Sequence, residues 1–96
     1  MNIQQKEGGH RGRFFIEQDD EMVAEIVYSH GAADTIIIEH TEVDESLQGK
    51  NIGYELVHKT VEYAREKGLK ITPLCSFAKA VIDKHEDFQD VLAPSS

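Results

Sequence analysis

The chain has 96 residues, of which 40% are hydrophobic and 29% are charged, and its 10 basic and 18 acidic residues give a net charge of -8. This length allows one domain with a modest core, and the composition is that of an ordinary soluble globular protein. The acidic balance argues against a nucleic-acid partner, because the field of the protein repels a phosphate backbone.

The sequence also argues against secretion and membrane insertion. No apolar run approaches the roughly 18 residues of a membrane-spanning helix, and the N-terminal stretch MNIQQKEGGHRGRFF contains no signal-peptide core. The single cysteine, Cys75, cannot form an internal disulfide, which fits a reducing compartment. We therefore expect a cytoplasmic protein without a membrane partner.

The N-terminal third of the chain predicts an arm followed by a hairpin. Residues 1–12 show no periodicity, and we expect them to form a flexible arm. Two runs typical of strands follow at 13–18 and 21–29, and Asp19 and Asp20 between them suit a tight turn. The two runs should pair as an antiparallel hairpin.

A third strand is predicted after the turn GAAD, over residues 35–43. The run TIIIEHTEV places Ile36, Ile38 and His40 on one face, because successive side chains of a strand alternate. We expect this strand to be well buried and to complete a three-stranded antiparallel meander.

An amphipathic helix of about four turns is predicted next, because the apolar period changes from two residues to about 3.6. The residues with this spacing are Ile52, Leu56, Val57, Thr60, Val61 and Ala64. Gly68 follows a charged last turn and suits a C-terminal cap.

The helix leads into a fourth strand over residues 69–75. A strand, helix and strand with short links form a right-handed crossover, so this strand should lie parallel to residues 35–43. Pro73 has no N–H to donate, so the two strands should part near it. Strands that part in this way leave a cleft at their carboxyl ends, where open sheets usually bind ligands.

A C-terminal helix should begin at Ser76, which suits an N-cap, with Phe77, Phe88 and Val91 in the core. His58 and His85 are expected to be exposed, and no group of His, Cys or acidic residues has the spacing of a known metal site. A polar tail occupies residues 93–96.

The loop QGKNIG, residues 48–53, carries two glycines just where the long helix begins. Unpaired N–H groups and the positive end of the helix dipole favour an anion at such a position. The loop lacks the features of a P-loop and of the dinucleotide fingerprint G-x-G-x-x-G. The alternative is a plain helix entry that happens to contain two glycines.

The same loop resembles the pyrophosphate loop Q/R-x-x-G-x-G/A of the GNAT superfamily of N-acetyltransferases. Gln48, Asn51 and Gly53 fall on its first, fourth and sixth positions, and Ile52 fits the apolar fifth. Asn51 replaces the usual glycine, and asparagine is the residue that best tolerates a left-handed backbone after glycine. The order of elements is also similar over residues 13–92, so the chain looks like a short, single-domain branch of that superfamily.

This resemblance implies a small α+β domain that binds acetyl-CoA and transfers the acetyl group to an amine. The pyrophosphate would lie on the backbone N–H groups of residues 49–53, and the pantetheine arm would lie in the cleft beside Pro73. A free N–H near Thr41 to Val43 would stabilise the oxyanion. The cofactor-binding residues expected on this basis are Thr41, Val43, Gln48, Gly49, Lys50, Asn51, Ile52, Gly53 and Lys79.

Two residues are candidates for catalysis. His40 is a candidate general base, because imidazole titrates near neutral pH; the alternative is a core-facing histidine that follows Ile36 and Ile38. Cys75 ends a strand just before a helix, where the dipole and the nearby Lys79 would lower the pKa of the thiol. It could take the acyl group or protonate the leaving sulfur, or it could be a small buried hydrophobic residue.

The general acid of the superfamily, a tyrosine in the last long helix, has no counterpart, since all three tyrosines precede Cys75. A CoA-binding or acyl-CoA-sensing module without turnover is therefore an alternative, as is a plain interaction domain. The acceptor amine could be a polyamine, a protein lysine or an N-terminus. Its side of the cleft should be open or completed by a partner.

Overall fold

The computed structural model describes residues 2–94, and five strands in this part of the chain form one sheet. The strands are β1 (Gln4–Gly8), β2 (Arg11–Gln18), β3 (Glu21–His30), β4 (Thr35–Val43) and β5 (Lys70–Pro73). They lie in chain order across the sheet, with antiparallel pairs from β1 to β4 and a parallel pair between β4 and β5. The predicted α+β class and the parallel strand after the crossover are confirmed.

In the described part of the chain, two α-helices and two short 3-10 helices complete the fold. They are α1 (Ile52–Lys67), α2 (Ser76–Lys84) and the 3-10 segments Glu45–Leu47 and Glu86–Val91. Gly68 caps α1 in a left-handed conformation with φ of 69°, as predicted. Cys75, rather than the predicted Ser76, occupies the N-cap position of α2. Within residues 2–94, no helix is both long and apolar enough to cross a membrane.

The core lies between the helices and one face of the sheet. The six apolar or small residues predicted for the buried stripe of α1 are all buried, which confirms that pattern. Phe88 and Val91 also belong to the core, as predicted. The prediction for Phe77 is wrong, because its side chain is 44% exposed.

Residues 4–8 form strand β1, where the sequence predicts a loose arm, so the antiparallel part of the sheet has four strands rather than three. Every residue of β1 is exposed, so the strand has no apolar alternation that could reveal it. Backbone pairing with β2 and the side chain of Glu7 hold it in place. The carboxylate of Glu7 accepts hydrogen bonds from the hydroxyls of Tyr28, at 2.6 Å, and Tyr63, at 2.7 Å. Met1 of the predicted arm, and Ser95 and Ser96 of the predicted tail, lie outside the described residues.

The predicted hairpin forms between β2 and β3. Asp19 and Asp20 both adopt left-handed conformations, with φ of 51° and 65°, as a two-residue turn between twisted strands requires. Gln18 and Glu21 pair directly on either side of the turn.

A β-bulge in β4 changes the faces of its last residues. Tyr28 pairs with Ile38, but the preceding residue of β3, Val27, pairs with His40, so Glu39 is the extra residue in β4. His40 therefore points to the outer face of the sheet, away from the helices. The prediction that it shares a face with Ile36 and Ile38 is wrong, because simple alternation assumes a strand without a bulge.

The same bulge turns the end of β4 toward the helices. Thr41 pairs with Ile26, and Val43 pairs with Ala24, and both partners are buried in the core. Paired residues of an antiparallel ladder point to the same face, so Thr41 and Val43 face the side of the sheet on which α1 and α2 lie.

Candidate active site

Strands β4 and β5 part where the sequence predicts that they should. Their parallel pairing ends at Ile38 and Pro73. The N–H groups of Leu74 and Cys75 both donate to the carbonyl of Ile38, at 3.0 and 3.2 Å, and the chain then turns away into α2. The last five residues of β4 are left without a partner from β5.

A cleft of about 930 Å³ occupies the gap between the parted strands, the loop before α1, and α2. Its lining residues are Thr41, Val43, Leu47, Gln48, Gly49, Asn51, Ile52, Gly53, Tyr54, Phe77, Ala80, Val81, Lys84 and His85. None of these is an aspartate or glutamate, although the chain contains 18 acidic residues. The cleft is thus a place where an anion meets no carboxylate.

The loop before α1 presents unpaired N–H groups to this cleft. The N–H of Lys50 is engaged, because it donates to the carbonyl of Leu47 at 3.3 Å. Within residues 2–94, five neighbouring N–H groups have no backbone acceptor; they belong to Gly49, Asn51, Ile52, Gly53 and Tyr54. They lie at the N-terminus of a 16-residue helix, where its dipole is positive.

Two residues of the loop have a left-handed backbone. Gly49 has φ of 83° and Asn51 has φ of 63°. Asn51 is the N-cap residue of α1, but its side chain makes no capping hydrogen bond. Its role here is therefore conformational, which agrees with its replacement of the glycine found in similar loops.

Gln48 ties this loop to the end of β4. Its side-chain amide donates to the carbonyl of Val43 at 3.2 Å. The preceding residue, Leu47, is buried in the core. The loop is thus anchored by the two residues that precede its first glycine.

Phe77 gives Gly53 a packing role as well. A Cβ atom on Gly53 would lie 2.5 Å from Cζ of Phe77, so only glycine fits beneath this ring in its present position. Phe77 is half-exposed because it forms the wall of the cleft rather than part of the core.

The end of β4 directs N–H groups toward the strand that has left. The N–H of Asp44 donates to the carbonyl of Val23 at 2.8 Å, and N–H groups alternate along an antiparallel strand. Those of Thr41 and Val43 consequently point away from β3, to the side vacated by β5.

Cys75 lies beside these groups, and its half-buried thiol donates to Oγ1 of Thr41 at 3.4 Å. Burial raises the pKa of the thiol, but the hydroxyl of Thr41 and the N–H groups of Ala78, Phe77 and Thr41 outweigh it, so the pKa lies below its ordinary value. The predicted direction is correct, and the N-terminus of α2 contributes as expected.

Lys79 is not among the groups that lower the pKa of Cys75. Its ammonium pairs with the carboxylate of Asp83 at 2.9 Å, and it does not line the cleft. Lys50 does not line the cleft either. The structure therefore brings together seven of the nine predicted cofactor residues, namely Thr41, Val43, Gln48, Gly49, Asn51, Ile52 and Gly53.

His40 is not brought to the cleft. It is exposed on the outer face of the sheet, with Nε2 3.0 Å from Oε2 of Glu42. Its role as a general base stays a prediction. Glu25, His40 and Glu42 together place three metal-ligand atoms within 4.8 Å of one another. Sequence spacing gave no sign of this group, because the bulge and the pairing of β3 with β4 create it.

A cluster of rings at one end of the cleft was not predicted from the sequence. The ring of His85 lies 4.8 Å from that of Tyr54 and 5.1 Å from that of Phe88, and His58 stacks on Phe88 at 5.6 Å. His58 and His85 are half-buried rather than exposed. Tyr54 and His58, four residues apart on one face of α1, were the available signal.

A comparison with protein-family models identifies the chain. Residues 13–91 match the family described as GCN5-related N-acetyl-transferase. The chain belongs to this family, as the resemblance of its loop and the order of its elements predicted. No curated protein matches the chain.

Solved structures agree with this assignment. A GCN5-like protein from Staphylococcus aureus is 35% identical over 99% of this chain and 92% of its own, with a TM-score of 0.74. An IAA acetyltransferase from Bacillus cereus is 26% identical over 78% of this chain, with a TM-score of 0.60. A GNAT acetyltransferase from Elizabethkingia anophelis with acetyl-CoA bound shares the fold, at 20% identity and a TM-score of 0.59. The chain spans about half of the last two, at 53% and 52% of their lengths.

Proposed function

We propose that the cleft binds acetyl-CoA and that the protein transfers the acetyl group to an amine. The observation that carries this proposal is a cleft lined by no carboxylate of residues 2–94, at a helix N-terminus where five N–H groups have no backbone acceptor, in a chain of net charge -8. The surface of an acidic protein repels a polyanion almost everywhere. A cleft that lacks carboxylates and presents free N–H groups therefore favours an anionic ligand.

The pyrophosphate fits the N–H groups of Gly49, Asn51, Ile52 and Gly53. The pantetheine arm then runs toward the end of β4, where the N–H groups of Thr41 and Val43 have lost their strand partner. Membership of the family and the relative with bound acetyl-CoA support this placement.

Cys75 supplies the chemistry in this proposal. Its thiolate attacks the thioester carbonyl, so that a bond forms between Sγ and the acetyl carbon while the bond to the CoA sulfur breaks. The CoA thiolate leaves and takes a proton from solvent. A neutral amine then attacks the acetyl-cysteine, the amide forms, Cys75 departs as a thiolate, and the amine proton passes to solvent.

Hydrogen bonds around the sulfur favour this route. They stabilise the thiolate, which is the nucleophilic form, and the same N–H groups lie close to the carbonyl oxygen on which negative charge develops. His40 has no part in the route, because it lies on the opposite face of the sheet.

Intact-mass spectrometry tests the covalent step. Protein mixed with acetyl-CoA without amine should gain one acetyl group on Cys75, and Cys75→Ser should gain none. Adding a panel of amines should remove the group from the wild type and release further free CoA. An unmodified wild-type protein that still acetylates amines would show direct transfer instead.

A CoA-binding or acyl-CoA-sensing module is the second candidate. The observation that favours it is the absence of a tyrosine beyond Tyr63, which leaves the short α2 without the usual general acid. In that case the protein would bind CoA, and no amine of the panel would release free thiol from acetyl-CoA.

A further inference from the structure

Lys84 is a cation without a partner at the outer end of the cleft. Among the lining residues in the described part of the chain, it is the one lysine or arginine. Its ammonium forms no ion pair or hydrogen bond with residues 2–94, whereas Lys79 on the same helix is paired with Asp83.

The position of Lys84 on α2 shows where it lies along the cleft relative to Cys75 and Phe77. The helix lines the cleft through one face, formed by Phe77, Ala80, Val81, Lys84 and His85. Phe77 lies against Gly53, beside the unpaired N–H groups, and Cys75 lies just before it. Lys84 is about 10 Å further along the helix axis, at 1.5 Å per residue, on the side away from Cys75.

Two rings form a wall next to this lysine. Tyr54 on α1 and His85 at the end of α2 both line the cleft, with their ring centroids 4.8 Å apart. The Nδ1 atom of His85 lies 2.7 Å from the carbonyl of Val81, so Nδ1 carries the hydrogen and the ring is held in place. The wall therefore has a fixed orientation beside a charged side chain with a flexible stem.

We propose that Lys84 binds the 3′-phosphate of CoA, with Tyr54 and His85 forming the wall against which the adenosine end lies. The proposal rests on the proposed function, because it continues the ligand from the thioester at Cys75, past the pyrophosphate at Gly53, to the outer end. A phosphate monoester carries nearly two negative charges at neutral pH. An unpaired ammonium in a cleft without carboxylates is the group suited to receive it.

A structural alternative is that Lys84 interacts with the C-terminal end of the α2 dipole alone. In that case its removal would change thermal stability slightly and would have no effect that depends on the 3′-phosphate.

Calorimetric titration with CoA and dephospho-CoA, which lacks the 3′-phosphate, tests the proposal. The wild type should bind CoA about tenfold more tightly than dephospho-CoA, as one charge-assisted hydrogen bond provides. Lys84→Met should bind both ligands with the affinity that the wild type has for dephospho-CoA. Lys59→Met, on an exposed position of α1 outside the cleft, is the matched control and should keep the wild-type ratio.

The outcomes separate this inference from the function on which it rests. Equal affinity of the wild type for the two ligands, or an unchanged ratio in Lys84→Met, would overturn the role of Lys84 and leave CoA binding intact. Failure of the wild type to bind either ligand would overturn both. Lys84 is exposed, so the variant should fold, and its circular dichroism spectrum checks this.

Discussion

The sulfur of Cys75 lies where a parted strand, a bulged strand and a helix N-terminus meet. One side chain, Thr41, contributes both a hydroxyl at 3.4 Å and a backbone N–H to its surroundings. The bulge in β4 is what points this side chain toward Cys75, because without it Thr41 would face the other side of the sheet. The reactivity proposed for the thiol thus depends on the single extra residue, Glu39, that forms the bulge.

Thr41→Val should raise the pKa of Cys75. The substitution removes the hydroxyl that stabilises the thiolate and leaves the N–H groups in place, so the shift should be partial. The pH dependence of alkylation by iodoacetamide measures it, and less thiolate should be present at neutral pH. Thr72→Val, on the neighbouring strand β5, serves as the control and should not alter the alkylation profile. An unchanged profile in Thr41→Val would show that the hydroxyl does not contribute.

At the scale of elements, strand β1 is held by polar contacts rather than by burial. The carboxylate of Glu7 bridges β1 to Tyr28 on β3 and Tyr63 on α1. These hydrogen bonds from Tyr28 and Tyr63 lower the pKa of Glu7, and burial, which raises it, is a smaller effect. The phenol of Tyr28 is buried, so loss of Glu7 would leave its hydroxyl proton without an acceptor, although the oxygen still accepts from the side-chain amide of Gln5 at 2.7 Å.

Glu7→Ala should lower the free energy of unfolding by about 1 to 2 kcal/mol at neutral pH, because it removes two hydrogen bonds to a charged acceptor that is partly exposed to solvent. Urea denaturation measures the change. Lys6→Ala, the adjacent exposed position of the same strand, should change it by less than about 0.5 kcal/mol. Equal losses in the two variants would show that the strand is held by its backbone pairing alone.

The same carboxylate predicts a pH dependence. Its pKa is lower in the folded state than in the unfolded state, so its stabilising effect is complete above the unfolded pKa and is lost as the pH falls through the folded one. The difference in the free energy of unfolding between the wild type and Glu7→Ala should therefore shrink as the pH is lowered. A difference that stays constant down to strongly acidic pH would contradict this.

Periodicity revealed the elements that bury a regular face. The hairpin, β4, α1 and β5 were all predicted as elements, although β5 covers Lys70–Pro73 rather than residues 69–75 and the face of His40 in β4 was wrong. Strand β1 has no such signal, because QQKEG contributes nothing to the core. The bulge at Glu39 was also invisible, since it depends on how β4 pairs with β3, and it explains the misplacement of His40.

Some residues of the candidate site could be predicted from the sequence, and others could not. The loop of residues 48–53 was found because it is contiguous in sequence and has a motif. Lys84, Tyr54 and His85 were missed because they come from two helices and meet only through packing. Lys79 was misjudged, since sequence proximity to Cys75 does not reveal that its side chain turns to Asp83.

At the scale of the whole molecule, charge is distributed unevenly. The net charge is -8, yet no carboxylate of residues 2–94 lines the cleft that is proposed for an anionic cofactor. A positively charged amine would be attracted to the remaining acidic surface, whereas the proposed cofactor would be accepted only where N–H groups and Lys84 face it. Affinity for CoA should consequently depend on the N–H groups and the lysine in the cleft rather than on the net charge of the protein.

Calorimetric titration of CoA into the wild type, Gly49→Leu and Gly68→Leu tests the central claim most directly. Both glycines have a left-handed backbone, with φ of 83° and 69°, and a Cβ atom on either meets nothing within 4 Å, so the two substitutions impose similar backbone strain. Only Gly49 borders the cleft. We expect saturable binding by the wild type and Gly68→Leu, and a loss of at least about tenfold in Gly49→Leu, because a side chain there displaces the pyrophosphate from the N–H groups. Equal affinity in all three proteins, or no binding by the wild type, would contradict the account.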